Sequence, residues 1–392
     1  MPTTRGWTAI GVAVALLVLW LAFGERELMS TAVFLGVAVT AGMVFVRLSS
    51  TAIEVDRRLH PPAAHAGDTV TIEVNLSARR RMRNVQVEDT VHGLGVARFA
   101  AARTLPSDPV VARYEVSCRE RGVYPVGPTE VSVTDPLGLV DHRRTAGPVD
   151  RLLVYPRIET LRGFPAVRGN DPAVQATRPT YAPRGGDDFF TLREYQIGDD
   201  LRKVHWPSTA KRGDIMIKQL EIPWQSRALV LLDARAERYG DDEAFEHAVR
   251  GAASAVAHLY RGGFSPDLWT SERAPGTRTG NRYRQALEAL ATIQPLQHVD
   301  LRAAVTNMRR QGVGGGALVL VTGQPDDAVL AAYRNLTRDF TRTIVMAVAE
   351  PGEALSMLER SAAITVVSTP DLSWARPWRT ALERSWSTAS AG

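Results

Sequence analysis

The chain has 392 residues, 45% of them hydrophobic, and a formal net charge of +5. That length suits more than one core, and a single cysteine, Cys118, excludes an intrachain disulfide and any cysteine-based metal site. The positive excess sits in residues 142–184, where eight Arg face Asp150, Glu159 and Asp171; no aromatic-studded basic face accompanies it, so nucleic acid is not an expected partner.

Gly6 to Phe23 and Leu28 to Val46 are apolar runs separated by Gly24-Glu-Arg-Glu27, each long enough to cross about 30 Å of hydrocarbon as a helix. No small-residue cleavage site follows the first, which favours a transmembrane hairpin at residues 1–50 over a signal peptide. Arg5 precedes the pair and Arg47, Arg57 and Arg58 follow it, whereas the connecting loop holds Arg26 between two glutamates; both ends are therefore expected in the cytoplasm. Gly11 with Ala15, Ala32 with Gly36 and Ala38 with Gly42 are small pairs that allow close helix approach.

Residues 51–156 read as β structure. Alternation in Thr69–Leu76, Val85–Glu88, Tyr114–Ser117 and Glu130–Thr134, broken by Pro, Gly and Asn, suggests an antiparallel sandwich of immunoglobulin-like type. Arg79-Arg-Arg-Met-Arg83 lies between two such strands, as a charged turn or, alternatively, a phosphate or lipid contact. The eight arginines of residues 142–184 read as a solvated connector, with anionic lipid as the alternative contact.

Between Tyr181 and Glu221 seven cations meet seven anions, interleaved with Phe189, Phe190, Tyr195 and Trp206; so balanced a set suits mutually paired side chains better than a one-sign patch. The run Leu192-Arg-Glu-Tyr-Gln-x-Gly-Asp-Asp-x-Arg-Lys-Val-His-Trp206, followed by Ala210 and Gly213, resembles the core motif of the bacterial DUF58 family of membrane-associated proteins. Arg121–Pro128 and Asp135-Pro-Leu-Gly-Leu139 are similar to that family's passage from sandwich to core motif, their Gly and Pro setting turns. The resemblance marks Arg193, Glu194, Tyr195, Gly198, Asp199, Asp200, Arg202, His205 and Trp206 as an interaction or structural set within a linker and motif region, 157–222. It also implies association with MoxR-type AAA+ ATPases and other membrane proteins. His205 beside Asp199 and Asp200 reads either as an acid/base pair or as an imidazole holding a turn.

From residue 223 onward the pattern changes. Ala228–Leu232, Ala317–Val321, Thr343–Val348 and Ile364–Val367 are short continuous apolar runs, as in strands buried on both faces. Between them Phe245, Val249, Ala252, Val256 and Leu259 recur at helical spacing, as do Ala328, Leu330, Ala331 and Leu336. Alternating strand and helix predicts a doubly wound α/β domain over 223–392. With Asp233 ending its first strand, it resembles the von Willebrand factor A fold, whose metal site takes Asp-x-Ser-x-Ser, a Thr and a later Asp. Here the loop reads Asp233-Ala-Arg-Ala-Glu237, the second approach is His298-Val-Asp-Leu301, and Thr322-Gly-Gln324 brings no Asp, while Arg235 supplies a fixed cation. The site therefore reads as degenerate, with Asp233 a loop cap or ion-pair partner and no metal or cofactor expected. The whole suggests a membrane-anchored, non-enzymatic scaffold or adaptor with a cytoplasmic domain. A metal-dependent binding module and an enzyme using His205 and its acids are the alternatives.

Overall fold

The computed structural model describes residues 1–50, 53–78, 82–104, 109–163, 190–195, 204–220, 227–270, 281–311, 313–361 and 364–390. They divide into two units, Met1–Tyr155 and Pro156–Gly392.

The first unit opens with α1 (Thr4–Phe23) and α2 (Arg26–Ser50), both long and apolar enough to cross a membrane. Thr3 caps α1 by accepting from the Gly6 amide, and Gly24 closes it in the left-handed region at φ 70°. Among the described residues ten strands follow: β1 (Ile53–His60), β2 (Ala63–His65), β3 (Thr69–Ala78), β4 (Met82–Val91), β5 (Gly95–Thr104), β6 (Val110–Ser117), β7 (Gly122–Val126), β8 (Thr129–Thr134), β9 (Asp141–Ala146) and β10 (Asp150–Tyr155). They form a sheet β1-β3-β6 and a larger sheet β2-β10-β7-β4-β8-β9, with β5 also on β4. Every pairing is antiparallel except β2 with β10. Period-two alternation turns Val70, Ile72, Val74 and Leu76 of β3 inward, where they share one core with Val85, Val87, Val131, Val133, Leu152 and Val154.

That core also takes in Val39 and Val46 of α2, with Ala9 and Ile10 of α1 packed against it. The helical hairpin is thus built into the β-domain. Its N-terminal lead pairs with the approach to β9: the Thr3 amide donates to Leu139 O at 2.8 Å and the Asp141 amide to Met1 O at 2.9 Å. Gly6 is required there, because a Cβ would stand 2.0 Å from the Leu139 carbonyl oxygen.

One residue counted above among the membrane-flanking cations has another place. Arg57 occupies an inward position of β1, its side chain 1% exposed, in bidentate contact with Asp89 (3.0 and 2.6 Å) and 2.6 Å from Asp150. It also donates to Thr129 Oγ1 and to the carbonyls of Val126 and Pro148. The alternation Ile53, Val55, Arg57, Leu59 that makes β1 a strand also carries the guanidinium inside, so its charge is spent on two carboxylates. Arg79–Arg81, and the side chains of Met82 and Arg83, lie outside the described residues.

The second unit contains a two-stranded ribbon, β11 (Phe190–Glu194) with β12 (Met216–Leu220), and between them α3 (Trp206–Arg212). An α/β domain follows: β13 (Arg227–Leu232), α4 (Asp242–Arg261), β14 (Ser265–Thr270), α5 (Arg282–Thr292), α6 (Leu301–Arg310), β15 (Gly315–Thr322), α7 (Asp327–Leu336), β16 (Phe340–Val348), α8 (Glu353–Ser361), β17 (Thr365–Ser368) and α9 (Ala375–Ser390). Its sheet is parallel throughout, in the order β14-β13-β15-β16-β17. β13 and β15 are flanked on both sides and apolar except for Arg227 at the start of the first and Thr322 at the end of the second, hence their continuous runs; β14 is an edge strand whose Pro266 and Asp267 break the pattern. The α4 face Phe245, Val249, Ala252, Val256 and Leu259 is buried as its spacing predicts. Residues 156–163 run along this domain: the Glu159 carboxylate accepts from the Trp374 amide and Ser373 Oγ, and Gly163 O accepts from Trp378 Nε1.

His247 of α4 is fully buried, stacked on Trp374 at 4.6 Å. Its Nδ1 accepts from Arg250 at 3.2 Å, which leaves Nε2–H to donate to Ser368 Oγ at 2.9 Å. Burial first, then the Arg250 charge, lowers its pKa to about 4. The unfolded chain therefore takes up this proton near its ordinary value of 6.5 and the folded chain only near 4, so folding stability falls as pH drops through that window. The expected loss is up to about 3 kcal/mol below it. Denaturant midpoints at pH 7 and pH 4.5 check this: His247→Asn should flatten the pH dependence, and an unchanged slope would refute it.

Candidate functional site

In an open parallel sheet, ligands bind beyond the carboxyl ends of the strands where the strand order reverses, which here is between β13 and β15. Asp233 follows β13 and Thr322 ends β15, and both are fully buried. Arg235 turns back on Asp233, donating from Nε at 3.0 and 3.2 Å and from Nη2 at 2.8 Å, while Thr322 Oγ1 donates to Asp233 Oδ2 at 3.1 Å. The far edge of the guanidinium meets Asp326 at 2.8 and 3.1 Å. Asp326 also caps α7 by accepting from the Val329 amide at 2.9 Å. The two loops approach so closely that a Cβ on Gly323 would lie 2.1 Å from Arg238 O, which accepts from the Gln324 amide.

Electrostatics follow from this geometry. Burial opposes the charge on Arg235, but hydrogen bonds and the charges of Asp233 and Asp326 outweigh it and raise its basicity. Burial likewise opposes ionisation of Asp326, yet Arg235, the Val329 amide and Arg238 hold its carboxyl below the ordinary range. Tyr239 donates to Asp233 O, and burial followed by the Asp233 charge pushes its hydroxyl well above its usual value. Asp233 is thus an ion-pair partner, and a divalent ion here would confront a guanidinium already bonded to both carboxylates. Sequence reasoning found Asp233, Arg235 and Thr322 but missed Asp326 and Tyr239. The helix-start signal of Asp326 before Val329 was available; its 91-residue reach back to Arg235 was not.

The core motif supplies a second surface. Arg193 and Glu194 lie on β11, opposite Ile217 and Met216, with their side chains outside the described residues, as are Gly198, Asp199, Asp200 and Arg202 altogether. The half-buried Tyr195 donates its amide to Ile215 O at 2.8 Å. Val204 bridges Ile217, and the His205 amide donates to Met216 O at 2.8 Å, so this segment folds onto β12. His205 Nδ1 meets Ser208 Oγ at 2.7 Å in the first turn of α3, where Pro207 suits the helix start. Met216 and Ile217 are buried under this arrangement, while Trp206 is 70% exposed and Ile215 is exposed beside Lys211, Arg212 and Asp214. The structure thus leaves the Trp206 side chain exposed to solvent.

The family described as "Protein of unknown function DUF58" matches residues 191–356, from β11 into α8. The chain carries a DUF58 region. That region holds both the ribbon with Trp206 and the Asp233–Arg235–Asp326 cluster. Over 297 residues the chain is 25% identical to "Uncharacterized protein YeaD" of Bacillus subtilis (strain 168), covering 71% of this chain and 72% of that protein. Neither description names an enzymatic activity. Among solved structures, the sporulation control protein Spo0M of Bacillus subtilis is 16% identical with a TM-score of 0.17, covering 26% of this chain and 49% of its own. A CARDB domain from Pyrococcus furiosus is 12% identical with a TM-score of 0.20, covering 26% and 91%. At such scores neither likeness carries an argument.

Proposed function

We propose that this chain is a membrane-anchored, non-enzymatic scaffold or adaptor that docks a MoxR-type AAA+ ATPase, and other membrane proteins, through the ribbon of its DUF58 region. The observation that carries this reading is the exposed Trp206, in a segment that also exposes Ile215 and charges of both signs. A protruding tryptophan is the residue type that most often anchors a protein interface. The carboxylates at the sheet's switch point support it from the other side, since Arg235 occupies them both. In this reading α1 and α2 cross the membrane and the soluble region faces the cytoplasm, as Arg5 and Arg47 at the hairpin's open end favour. A reporter fused after residue 392 that was active outside the cytoplasm would overturn that orientation. The β-domain is taken as immunoglobulin-like and the α/β domain as von Willebrand factor A-like, the latter on its parallel sheet and on Asp233 after its first strand.

The test is affinity capture of the full-length chain from detergent-solubilised membranes of its own bacterium. The wild type should bring down an AAA+ ATPase, and Trp206→Ala should lose it with the melting temperature nearly unchanged, since exposed positions shift stability by only about 0.5 kcal/mol. Retention of the ATPase by the variant, or a matching fall in melting temperature, would count against docking at Trp206.

A further inference from the structure

The turn between β8 and β9, Asp135–Val140, lies at the open end of the helical hairpin. Thr3 binds it through Leu139 O and Gly138 O, the Arg5 guanidinium lies beside Gly138, and Gly42 of α2 faces Val140 and Asp135. Its polar backbone is largely satisfied from within. The buried Asp135 carboxylate accepts from the amides of Leu137 (2.9 Å) and Val140 (2.6 Å), the Gly138 amide donates to Asp135 O, and the Asp135 amide to Val140 O. The side chain at its tip is nevertheless apolar: Leu137 is 62% exposed.

The hairpin shows what that tip faces. Ala9, Ile10 and Val39 pack against the β-domain core, so the helix lengths beyond it are residues 11–23 of α1 and 26–38 of α2. Each is about 20 Å long at 1.5 Å per residue, well short of the ~30 Å of hydrocarbon in a bilayer. A bilayer crossed by this hairpin therefore extends past the start of the β-domain to the level of the turn. Trp7, 63% exposed near the start of α1, sits at that end, where interfacial aromatics concentrate. A turn whose Asp135, Leu137, Gly138 and Val140 amides are internally paired, with a leucine at its tip, is suited to a region poor in water. The outer surface of α2, with Phe34 69% exposed, leads into the same boundary.

We infer that the Asp135–Val140 turn is a membrane-contact element, with Leu137 entering the headgroup–acyl boundary of the bilayer and seating the β-domain on the membrane surface. This rests on the reading of α1 and α2 as membrane-spanning. The experiment uses the full-length chain in phosphatidylcholine vesicles, with an environment-sensitive fluorophore attached through Leu137→Cys, Phe34→Cys or Val96→Cys, and nitroxide-bearing lipid as quencher. Val96 is exposed at the end of β5 that pairs with Thr90, opposite the turn. The native Cys118 is fully buried, so the unsubstituted chain sets the labelling background. Labels at positions 34 and 137 should lose most of their emission and the label at 96 none. Quenching at 34 with position 137 behaving like 96 overturns the inference and leaves the spanning reading intact. Absence of quenching at 34 overturns both.

Discussion

Arg57→Ala lowers the stability of the Met1–Tyr155 unit by about 3–5 kcal/mol, whereas Arg58→Ala, one residue on, changes it by less than about 0.5 kcal/mol. The contrast follows from burial. Arg58 is 64% exposed and 3.5 Å from an equally exposed Asp56, a pair of the kind that solvent screens almost to nothing. Arg57 holds Asp89, which is wholly buried, and Asp150, and without it the Asp89 charge keeps, as side-chain donors among the described residues, the hydroxyls of Tyr114 and Thr129. Tyr114 keeps its proton and serves only as a neutral donor, because burial and then the bond to Asp89 raise its pKa far above the usual value. Arg57→Lys should recover part of the loss, since one ammonium cannot fork Asp89 and reach Asp150 together. Pulse proteolysis of the detergent-solubilised protein in increasing urea measures this, and equal effects of the two alanine substitutions would refute it.

A loss of similar size, about 3–5 kcal/mol, is expected for Arg235→Ala in the second unit. Asp233 would remain fully buried with Thr322 as its side-chain donor among the described residues, and the tie from the β13 loop to the start of α7 would be left to Arg238, 3.4 Å from Asp326. Asp326→Asn should cost less: its side chain is 25% exposed, and an asparagine still caps α7. Because the guanidinium bridges both carboxylates, Mg²⁺ should leave the melting temperature of the wild type unchanged. A Mg²⁺-dependent rise abolished by Asp233→Ala would show that the two acids bind an ion after all. An Asp326→Asn loss larger than that of Arg235→Ala would place the main anchor elsewhere.

The parts of this molecule that were legible in the chain are those whose signal is local and repeated. The apolar lengths of α1 and α2, the alternation of β3, the continuous runs of β13, β15 and β16 and the helical stripe of α4 each restate one burial environment over many residues. Edge strand β14 was missed because a strand flanked on one side need not be apolar throughout, and Pro266 and Asp267 erase its pattern. At the switch point Asp233 and Arg235 are two residues apart and could be paired on paper. Asp326 and Tyr239 reach them only through the return of the chain.

By itself, then, the sequence determined the apolar hairpin, the β-rich region, the α/β domain and the resemblance of the core motif. Those rest on periodicity and composition, which a chain carries wherever it goes. Tertiary structure decided which charges are interior and which aromatics face outward. Arg57 reads like any membrane-flanking cation until Asp89, 32 residues on, and Asp150, 93 on, close around it. Trp206 stands in the sequence only as part of an interaction or structural set, and it is the seating of Val204 and His205 on β12 that leaves the next side chain exposed to solvent. A side chain's charge or size is written in the sequence, but the dielectric around it is set by residues far away in the chain, and that environment decides what the group does.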